Sequence, residues 1–138
     1  MSRRTYLDAC LLIAAFRGQK HINERAMAIL EDPERSLVLS DAVWLEVMPK
    51  PLYNKQDKET AFYEDIFRQA ERLSWKMDVL DKAHALARQY GIAAMDAIHV
   101  ATAIEARIDE FATAEKPDKP MFRVQEIRMH SVCARATL

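Results

Sequence analysis

The chain alternates between two patterns of apolar residues: short runs with the length of a strand, and longer stretches with the period of a helix. The short runs predict strands at residues 4–9, 35–41, 109–115 and 124–132. The periodic stretches predict helices at residues 10–18, 21–32, 57–73, 79–91 and 94–108, and one that begins at Asp41 and breaks near Pro49 and Pro51. Because helical stretches separate strands, the pattern predicts an α/β fold with a parallel sheet covered by helices on both faces.

Several predicted helix ends coincide with residues that favour them. Gly18 and Gly91 stand where the C-caps of two helices belong. Asp41 stands at the predicted start of another helix, where an Asp is a favourable N-cap. The helices at residues 57–73 and 79–91 follow each other closely, so they could form a helical hairpin.

The composition is that of one compact domain, residues 1–138, in which 50% of the residues are apolar. Lys and Arg total 20 against 21 Asp and Glu, so the overall charge gives no sign of a nucleic-acid-binding protein. The two cysteines, Cys10 and Cys133, lack the spacing of metal ligands, which favours a reducing cytoplasm. Asp8 interrupts the first apolar stretch, so we expect neither a signal peptide nor a membrane span.

Acidic residues stand at the ends of the predicted strands or in the helices that follow. Asp8 closes the first strand, Glu46 lies in the helix after the second, Asp96 begins a later helix and Glu115 follows a later strand. In open parallel sheets, ligands bind beyond the carboxyl ends of the strands, where such positions converge. The four acids could therefore approach one point.

Each acid also has a simpler explanation when it is taken alone. Asp8 and Asp96 could each be the N-cap of a helix, since Asp is favoured there and suits the helix dipole. Glu46 could be a surface residue of an amphipathic helix. For Asp96, the preceding residues 92–95 are already compatible with a helix, which weakens the interpretation as a cap. A charge at the junction that contains Asp8 is costly to bury unless it is paired or binds a cation.

Four segments together resemble the PIN domain family, a ribonuclease fold that includes the toxins of many bacterial toxin–antitoxin pairs. They are TYLDACLLIAAF, SDAVWLEV, GIAAMDAIHVATA and FATAE, in the family's order and spacing over nearly the whole chain. DAIHVATA is the most specific of them, whereas an Asp that closes a strand is common in other folds. The resemblance implies an α/β/α sandwich around a mostly parallel sheet of four or five strands.

The resemblance makes Asp8, Glu46 and Asp96 the three core acids of a catalytic metal site. The family's fourth acid stands two residues after a Thr, and the corresponding position after Thr113 holds Glu115 and not Asp. The extra methylene of Glu moves the carboxylate, so Asp118 is the alternative fourth acid.

Such a cluster of carboxylates is stable mainly when a cation shares it, because like charges disfavour ionisation of their neighbours. Oxygen ligands without cysteine favour Mg²⁺ or Mn²⁺ over Zn²⁺. One or two such ions could activate a water and stabilise charge on a phosphodiester. The resemblance implies product ends with a 5′-phosphate and a 3′-hydroxyl.

Residues near the acids are candidates for substrate binding. The hydroxyl of Thr113 could orient a ligand or a water, and basic side chains could hold phosphates. The basic candidates are Arg17, Lys50, Arg107 and Lys116, each of which could equally be a solvated surface charge. Trp44, Tyr53 and Trp75 could stack on a base, although Trp44 is more easily explained as core. His99 follows Asp96 by three residues and could touch a carboxylate, but helix packing is the simpler explanation.

Three hypotheses follow for the function. The first is a metal-dependent ribonuclease that acts on RNA in the cytoplasm as a homodimer. If it is a toxin, an antitoxin protein is its partner. The second is a catalytically inactive PIN-like module that binds RNA or a protein partner, which Glu115 keeps open. The third is a phosphoryl-transfer domain with Asp8 as nucleophile, against which stands Cys10 in place of the second Asp that such enzymes carry.

Overall fold

The computed structural model describes residues 2–133. The strands are β1 (Arg3–Leu7), β2 (Arg35–Ser40), β3 (Glu71–Leu73), β4 (Glu110–Thr113) and β5 (Arg128–Ser131). The helices are α1 (Ala9–Arg17), α2 (Lys20–Leu30), α3 (Asp41–Val47), α4 (Pro49–Tyr53), α5 (Asp57–Gln69), α6 (Met77–Tyr90) and α7 (Ala94–Glu105), with a 3-10 helix at Pro120–Arg123. No helix in this part of the chain combines the length and apolar character needed to cross a membrane.

The strands form one five-stranded sheet in the order β3-β2-β1-β4-β5, and each neighbouring pair is parallel. The predicted α/β fold with a parallel central sheet is therefore confirmed. β1 lies at the centre, and the chain adds β2 and β3 on one side of it and β4 and β5 on the other. The carboxyl ends of β1 and β4 thus flank the point where the strand order reverses, which is the usual place for a ligand in such sheets.

The two central strands are buried along most of their length, as expected for a parallel sheet with both faces covered. Tyr6 and Leu7 in β1 are fully buried, and all four residues of β4 are buried. The rings of Tyr6 and Phe111 stack across the two strands with centroids 5.2 Å apart. This packing fixes the strand ends that carry Asp8 and Thr113.

The segment between α5 and α6 differs from the prediction. The helix predicted over residues 57–73 ends at Gln69, and Ala70 turns into an extended conformation. Glu71–Leu73 then pairs with the end of β2 as the edge strand β3. A strand therefore separates the two helices that were expected to form a hairpin, because pairing with β2 prevails over the helical pattern of the sequence.

The prediction that Asp41 is an N-cap is wrong. Ser40 is the cap of α3, and its hydroxyl accepts a hydrogen bond from the Val43 amide. The Asp41 carboxylate instead accepts hydrogen bonds from the Arg72 side chain and the Trp75 amide, which tie the start of α3 to β3 and the loop after it.

Other helix ends agree with the prediction. The chain breaks near Pro49 as predicted, but it starts the short helix α4 there, with the proline at the first turn where its missing N–H costs nothing. Gly91 ends α6 in the left-handed conformation, with φ of 70°. Gly18 is required for a different reason, since a Cβ there would lie 2.4 Å from the Ala14 carbonyl oxygen.

Glu110 joins the three central strands at the amino end of the sheet. Its carboxylate is almost completely buried and accepts hydrogen bonds from the Thr5 hydroxyl at 2.8 Å, from Arg35 Nε at 2.6 Å and from Arg3 Nη1 at 3.4 Å. Burial by itself would raise the pKa of Glu110, but the hydrogen bonds from Arg35 and Thr5 outweigh it, so the pKa is lowered from its usual value of 4.5.

We expect Glu110→Gln to lower the free energy of unfolding by about 2–4 kcal/mol, because the amide loses the charge that pairs with the largely buried Arg35. Glu71→Gln is a matched control, since Glu71 pairs with Arg4 at the surface, and it should cost less than about 1 kcal/mol. Urea denaturation measures both. Equal losses in the two variants would contradict the role assigned to Glu110.

The stability difference between the wild type and Glu110→Gln should depend on pH in a defined direction. A carboxyl group whose pKa is lower in the folded than in the unfolded protein stabilises the fold above its unfolded pKa. The contribution of Glu110 should therefore be fully present at neutral pH and decline as the pH falls below about 4.5 towards the folded pKa. The difference in the free energy of unfolding between the wild type and Glu110→Gln should therefore become smaller over that pH range.

Candidate functional site

Asp8 connects the end of β1 to the start of α1. Its amide donates to the Ala112 carbonyl in β4, and its side chain accepts from the Ala9 amide at 2.8 Å as the N-cap of α1. The other carboxylate oxygen accepts from the Thr113 hydroxyl at 3.0 Å and from the Cys10 thiol at 3.3 Å. Asp8 is therefore a helix cap and at the same time a buried acid, with 4% of its surface exposed, at the carboxyl edge of the sheet.

Cys10 contributes a neutral donor to this carboxylate. Burial raises the pKa of the Cys10 thiol, and the charge of Asp8 raises it further, so the sulfur keeps its proton. The thiol also lies 3.1 Å from the Thr113 hydroxyl. The hydrogen bonds that Asp8 accepts from Ala9, Cys10 and Thr113 in the described structure thus come from uncharged groups.

Glu46 reaches the same region from α3. Its side chain is 34% exposed, and its Oε1 atom forms a short hydrogen bond with Nε2 of the buried His99 on α7. The same Nε2 atom lies 3.8 Å from Oδ1 of Asp8. Burial would lower the pKa of His99, but the bond to Glu46 and the charge of Asp8 outweigh it, and the pKa is raised. His99 therefore lies between two of the predicted acids.

Asp96 is the third residue of α7, and Ala93 holds the N-cap position. Asp96 is therefore not the N-cap of α7, although its charge in the first turn suits the helix dipole as expected. Burial raises the pKa of Asp96, and the carboxylates of Asp8 and Glu115 raise it further, while His99 acts in the opposite direction. Glu46 adds a smaller effect of the same sign as the other acids. Negative charge from all four predicted acids therefore acts on one region.

Thr113 and Glu115 follow the end of β4. The Thr113 hydroxyl accepts from the Glu115 amide at 3.1 Å while it donates to Asp8, which holds the turn after the strand. The Ser131 hydroxyl donates to the Glu115 carbonyl at 2.5 Å, and the Glu115 carboxylate lies 3.9 Å from Nζ of Lys119. Asp118, the alternative fourth acid, is exposed and lines a separate cavity of about 690 Å³.

The predicted cations occupy three places. Arg17 donates hydrogen bonds to Glu59 and lines a small depression of about 140 Å³ together with Glu46 and Lys50. Lys116 is exposed and lines the cavity that contains Asp118. Arg107 precedes β4 and lies at the amino end of the sheet, so the expectation that it borders the site is wrong.

The aromatic candidates also differ in position. Trp44 packs edge-on against Phe67 with ring centroids 4.9 Å apart, and the Arg72 guanidinium covers the Trp44 ring at 4.7 Å. The interpretation of Trp44 as a packing residue agrees with these contacts. Tyr53 and Trp75 are 87% and 42% exposed.

The sequence analysis missed Tyr6 and Ser40. The Tyr6 hydroxyl lies 2.8 Å from Nδ1 of His99 and 2.7 Å from the Ser40 hydroxyl, so both residues belong to the polar network behind Glu46. One signal was available, because Tyr6 and Asp8 are two residues apart in an extended segment and therefore point to the same face.

No group of three or more His, Cys, Asp or Glu within residues 2–133 is arranged as a finished metal-binding set. The side-chain contacts explain this. The Glu46 carboxylate is turned towards His99, and both oxygens of Asp8 accept hydrogen bonds from the protein. The acids share one region of negative charge without forming a closed ring of ligands.

Comparisons with known proteins agree with this architecture. Several solved structures are similar over almost their entire length. FitAB bound to a DNA fragment matches with a TM-score of 0.71 at 20% identity, covering 96% of this chain and 98% of that one. VapBC2 from Rickettsia felis, bound to a DNA fragment from its promoter, matches with a TM-score of 0.70 at 12% identity, covering 93% of this chain and 98% of that one. VapC20 from Mycobacterium tuberculosis, a toxin that cleaves the sarcin–ricin loop, matches with a TM-score of 0.67 at 14% identity, covering 90% of this chain and 98% of that one.

Identities this low establish likeness of fold alone. A search of curated proteins finds no match to the sequence. The sequence profile of the PIN domain, however, matches residues 5–116, a stretch that includes all four acids of the site. The chain belongs to the PIN domain family.

Proposed function

We propose that the protein is a metal-dependent endoribonuclease that hydrolyses phosphodiester bonds of RNA. The observation that supports this proposal most is the concentration of negative charge at the carboxyl ends of β1 and β4, where burial and then the charges of Asp8 and Glu115 raise the pKa of Asp96. Membership of the PIN domain family supports a nuclease. One similar structure is described as a toxin that cleaves the sarcin–ricin loop, which supports RNA as the substrate class.

The four acids fit Mg²⁺ or Mn²⁺ by the chemistry of their donors. Carboxylate oxygens are the ligands that these hard cations prefer, and a divalent charge would offset both the burial of Asp96 and the repulsion from Asp8 and Glu115, which together raise its pKa. Asp8, Glu46, Asp96 and Glu115 are the residues that would hold the metal. When bound, such an ion supplies an activated water and stabilises the charge that develops on the phosphate.

The surrounding side chains have distinct tasks in this proposal. The Thr113 hydroxyl orients the Asp8 carboxylate through a hydrogen bond that involves no charged group. Arg17 and Lys50 lie beside Glu46 on one side of the acids, and Lys116 follows Glu115 on the other. Lys50 and Lys116 would offer positive charge to the phosphates of an RNA that crosses the acids, whereas the charge of Arg17 is paired with Glu59.

We also propose that the protein is a single-domain toxin that works in the cytoplasm as a homodimer and is neutralised by an antitoxin. Complexes of a toxin with its antitoxin are among the similar structures, including one from Klebsiella pneumoniae with a TM-score of 0.65 at 24% identity. Leu45, Leu52 and Tyr53 on α3 and α4 are each more than half exposed, which is typical of a surface that a partner covers. The two free cysteines fit a reducing compartment.

The alternative is a catalytically inactive PIN-like module that binds RNA or a protein partner. One observation favours it: Glu115 stands where the family usually has Asp. This alternative requires affinity for RNA or a partner without turnover in any divalent metal.

Asp96→Asn should lower metal-dependent RNA cleavage by more than about a hundred-fold, because it removes a carboxylate that no other group replaces. The same variant should raise the melting temperature of the metal-free protein by a few degrees, since it removes charge repulsion without removing a helix cap. Cleavage is measured on a panel of labelled RNAs with Mn²⁺, Mg²⁺ or chelator, and stability is measured by thermal denaturation.

Asp81→Asn is the matched control, because it removes the same kind of side chain from an exposed position on α6. It should change neither cleavage nor melting temperature. Undiminished cleavage by Asp96→Asn would refute the site assignment. RNA binding by the wild type without cleavage in either metal would support the inactive module.

A second pair of variants decides which residue completes the site. Glu115→Gln should raise the Mn²⁺ concentration needed for half-maximal cleavage by about ten-fold or more, because the Glu115 charge acts directly on Asp96. Asp118→Asn should leave that concentration within about two-fold of the wild type, since Asp118 is exposed in a separate cavity. The opposite ranking of the two variants would assign the fourth acid to Asp118.

A further inference from the structure

A series of polar contacts runs from the N-cap of α3, through the interior, to the carboxylate of Glu46 on the same helix. The Val43 amide donates to the Ser40 hydroxyl at 3.3 Å, and the Ser40 hydroxyl lies 2.7 Å from the Tyr6 hydroxyl. The Tyr6 hydroxyl lies 2.8 Å from Nδ1 of His99, and Nε2 of His99 binds Glu46. We call Ser40, Tyr6 and His99 the polar relay.

The relay is buried, and only Glu46 at its end meets solvent. Tyr6, His99 and Ser40 have 0%, 1% and 2% of their surface exposed, against 34% for the Glu46 side chain. The three residues come from β1, from α7 and from the end of β2, so each is held by regular structure. The ring of Tyr6 is further fixed by stacking on Phe111.

The direction of the last hydrogen bond does not depend on the charge of His99. An ionised carboxylate can only accept, so Nε2 of His99 carries a proton and donates it to Glu46. In the neutral imidazole, Nδ1 accepts from the Tyr6 hydroxyl; in the imidazolium, it donates to the same hydroxyl, which then donates to Ser40. Both arrangements keep the Nε2 proton aimed at Glu46.

We propose that Ser40, Tyr6 and His99 are positioning residues that hold the Glu46 carboxylate beside Asp8. A glutamate on the surface of a seven-residue helix otherwise samples several rotamers, and fixing one of them on metal binding costs entropy. The relay removes that cost in advance, because its buried donor selects a single direction for the carboxylate. The proposal rests on the proposed function, since that function makes Glu46 a holder of the metal.

The test compares Tyr6→Phe with Tyr63→Phe in Mn²⁺ affinity, measured by titration calorimetry. Tyr63 is a matched control, because it is also fully buried and its hydroxyl also donates to a glutamate, Glu59, which does not belong to the relay. We expect Tyr6→Phe to weaken Mn²⁺ binding several-fold and Tyr63→Phe to leave it unchanged. His99→Phe, which keeps a ring but has no donor, should weaken binding about ten-fold or more, and His99→Gln, which keeps an N–H donor, should recover part of the loss.

A second measurement separates positioning from a general loss of structure. In a Glu46→Gln background, Tyr6→Phe should have no further effect on Mn²⁺ affinity, because the relay acts through the Glu46 carboxylate. An effect of Tyr6→Phe that persists in this background would overturn the proposal. Equal Mn²⁺ affinity in Tyr6→Phe and Tyr63→Phe would also overturn it and leave the relay a purely structural feature.

RNA cleavage by the wild type is measured in parallel, so that the two proposals can fail separately. Mn²⁺ binding without cleavage of any RNA would count against the nuclease, while the affinity differences would still decide the role of the relay. A wild type that binds no Mn²⁺ would overturn both.

Discussion

The buried carboxylate of Asp8 is the constraint on which the fold and the site both depend. One of its oxygens caps α1, which turns the chain out of β1, and the other accepts the Thr113 hydroxyl from the end of β4. The same carboxylate therefore fixes the two strand ends at the point where the strand order reverses. The other acids reach this junction from α3, α7 and the turn after β4, and the charges of Asp8, Glu115 and Glu46 all act on Asp96.

Buried or half-buried acids lie at both ends of the central sheet, and the groups that surround them differ in charge. At the amino end, Glu110 is matched by Arg35 and Arg3, which lower its pKa. At the carboxyl end, Asp8 receives hydrogen bonds from uncharged groups, and the pKa of Asp96 is raised. The first arrangement stabilises the fold, whereas the second gathers four acids around one histidine, His99, and this excess of negative charge is typical of a site that binds a cation.

The sequence predicted the features that depend on local pattern. The parallel α/β sheet follows from the spacing of apolar residues, and the four acids follow from their places after strands together with the resemblance to PIN domains. β3 was missed because its three residues continue a helical pattern, and only pairing with β2 makes them a strand. Asp41 was misassigned because Ser40, one residue earlier, takes the cap. Tyr6 was overlooked because its hydroxyl finds partners 34 and 93 residues away in the chain, which no local pattern contains.

Structural and functional explanations of a polar residue are not alternatives in this site. Asp8 is a cap and a candidate metal ligand, and His99 is a buried packing residue that also binds Glu46. Loss of either residue would disturb folding and the site together. Asp96 differs, because Ala93 holds the N-cap position of α7 and because burial, and then the like charges around the Asp96 carboxylate, raise its pKa. The dipole of α7 favours an acid in its first turn, but that small stabilisation does not explain why the side chain is half-buried among other acids, which a bound cation would explain.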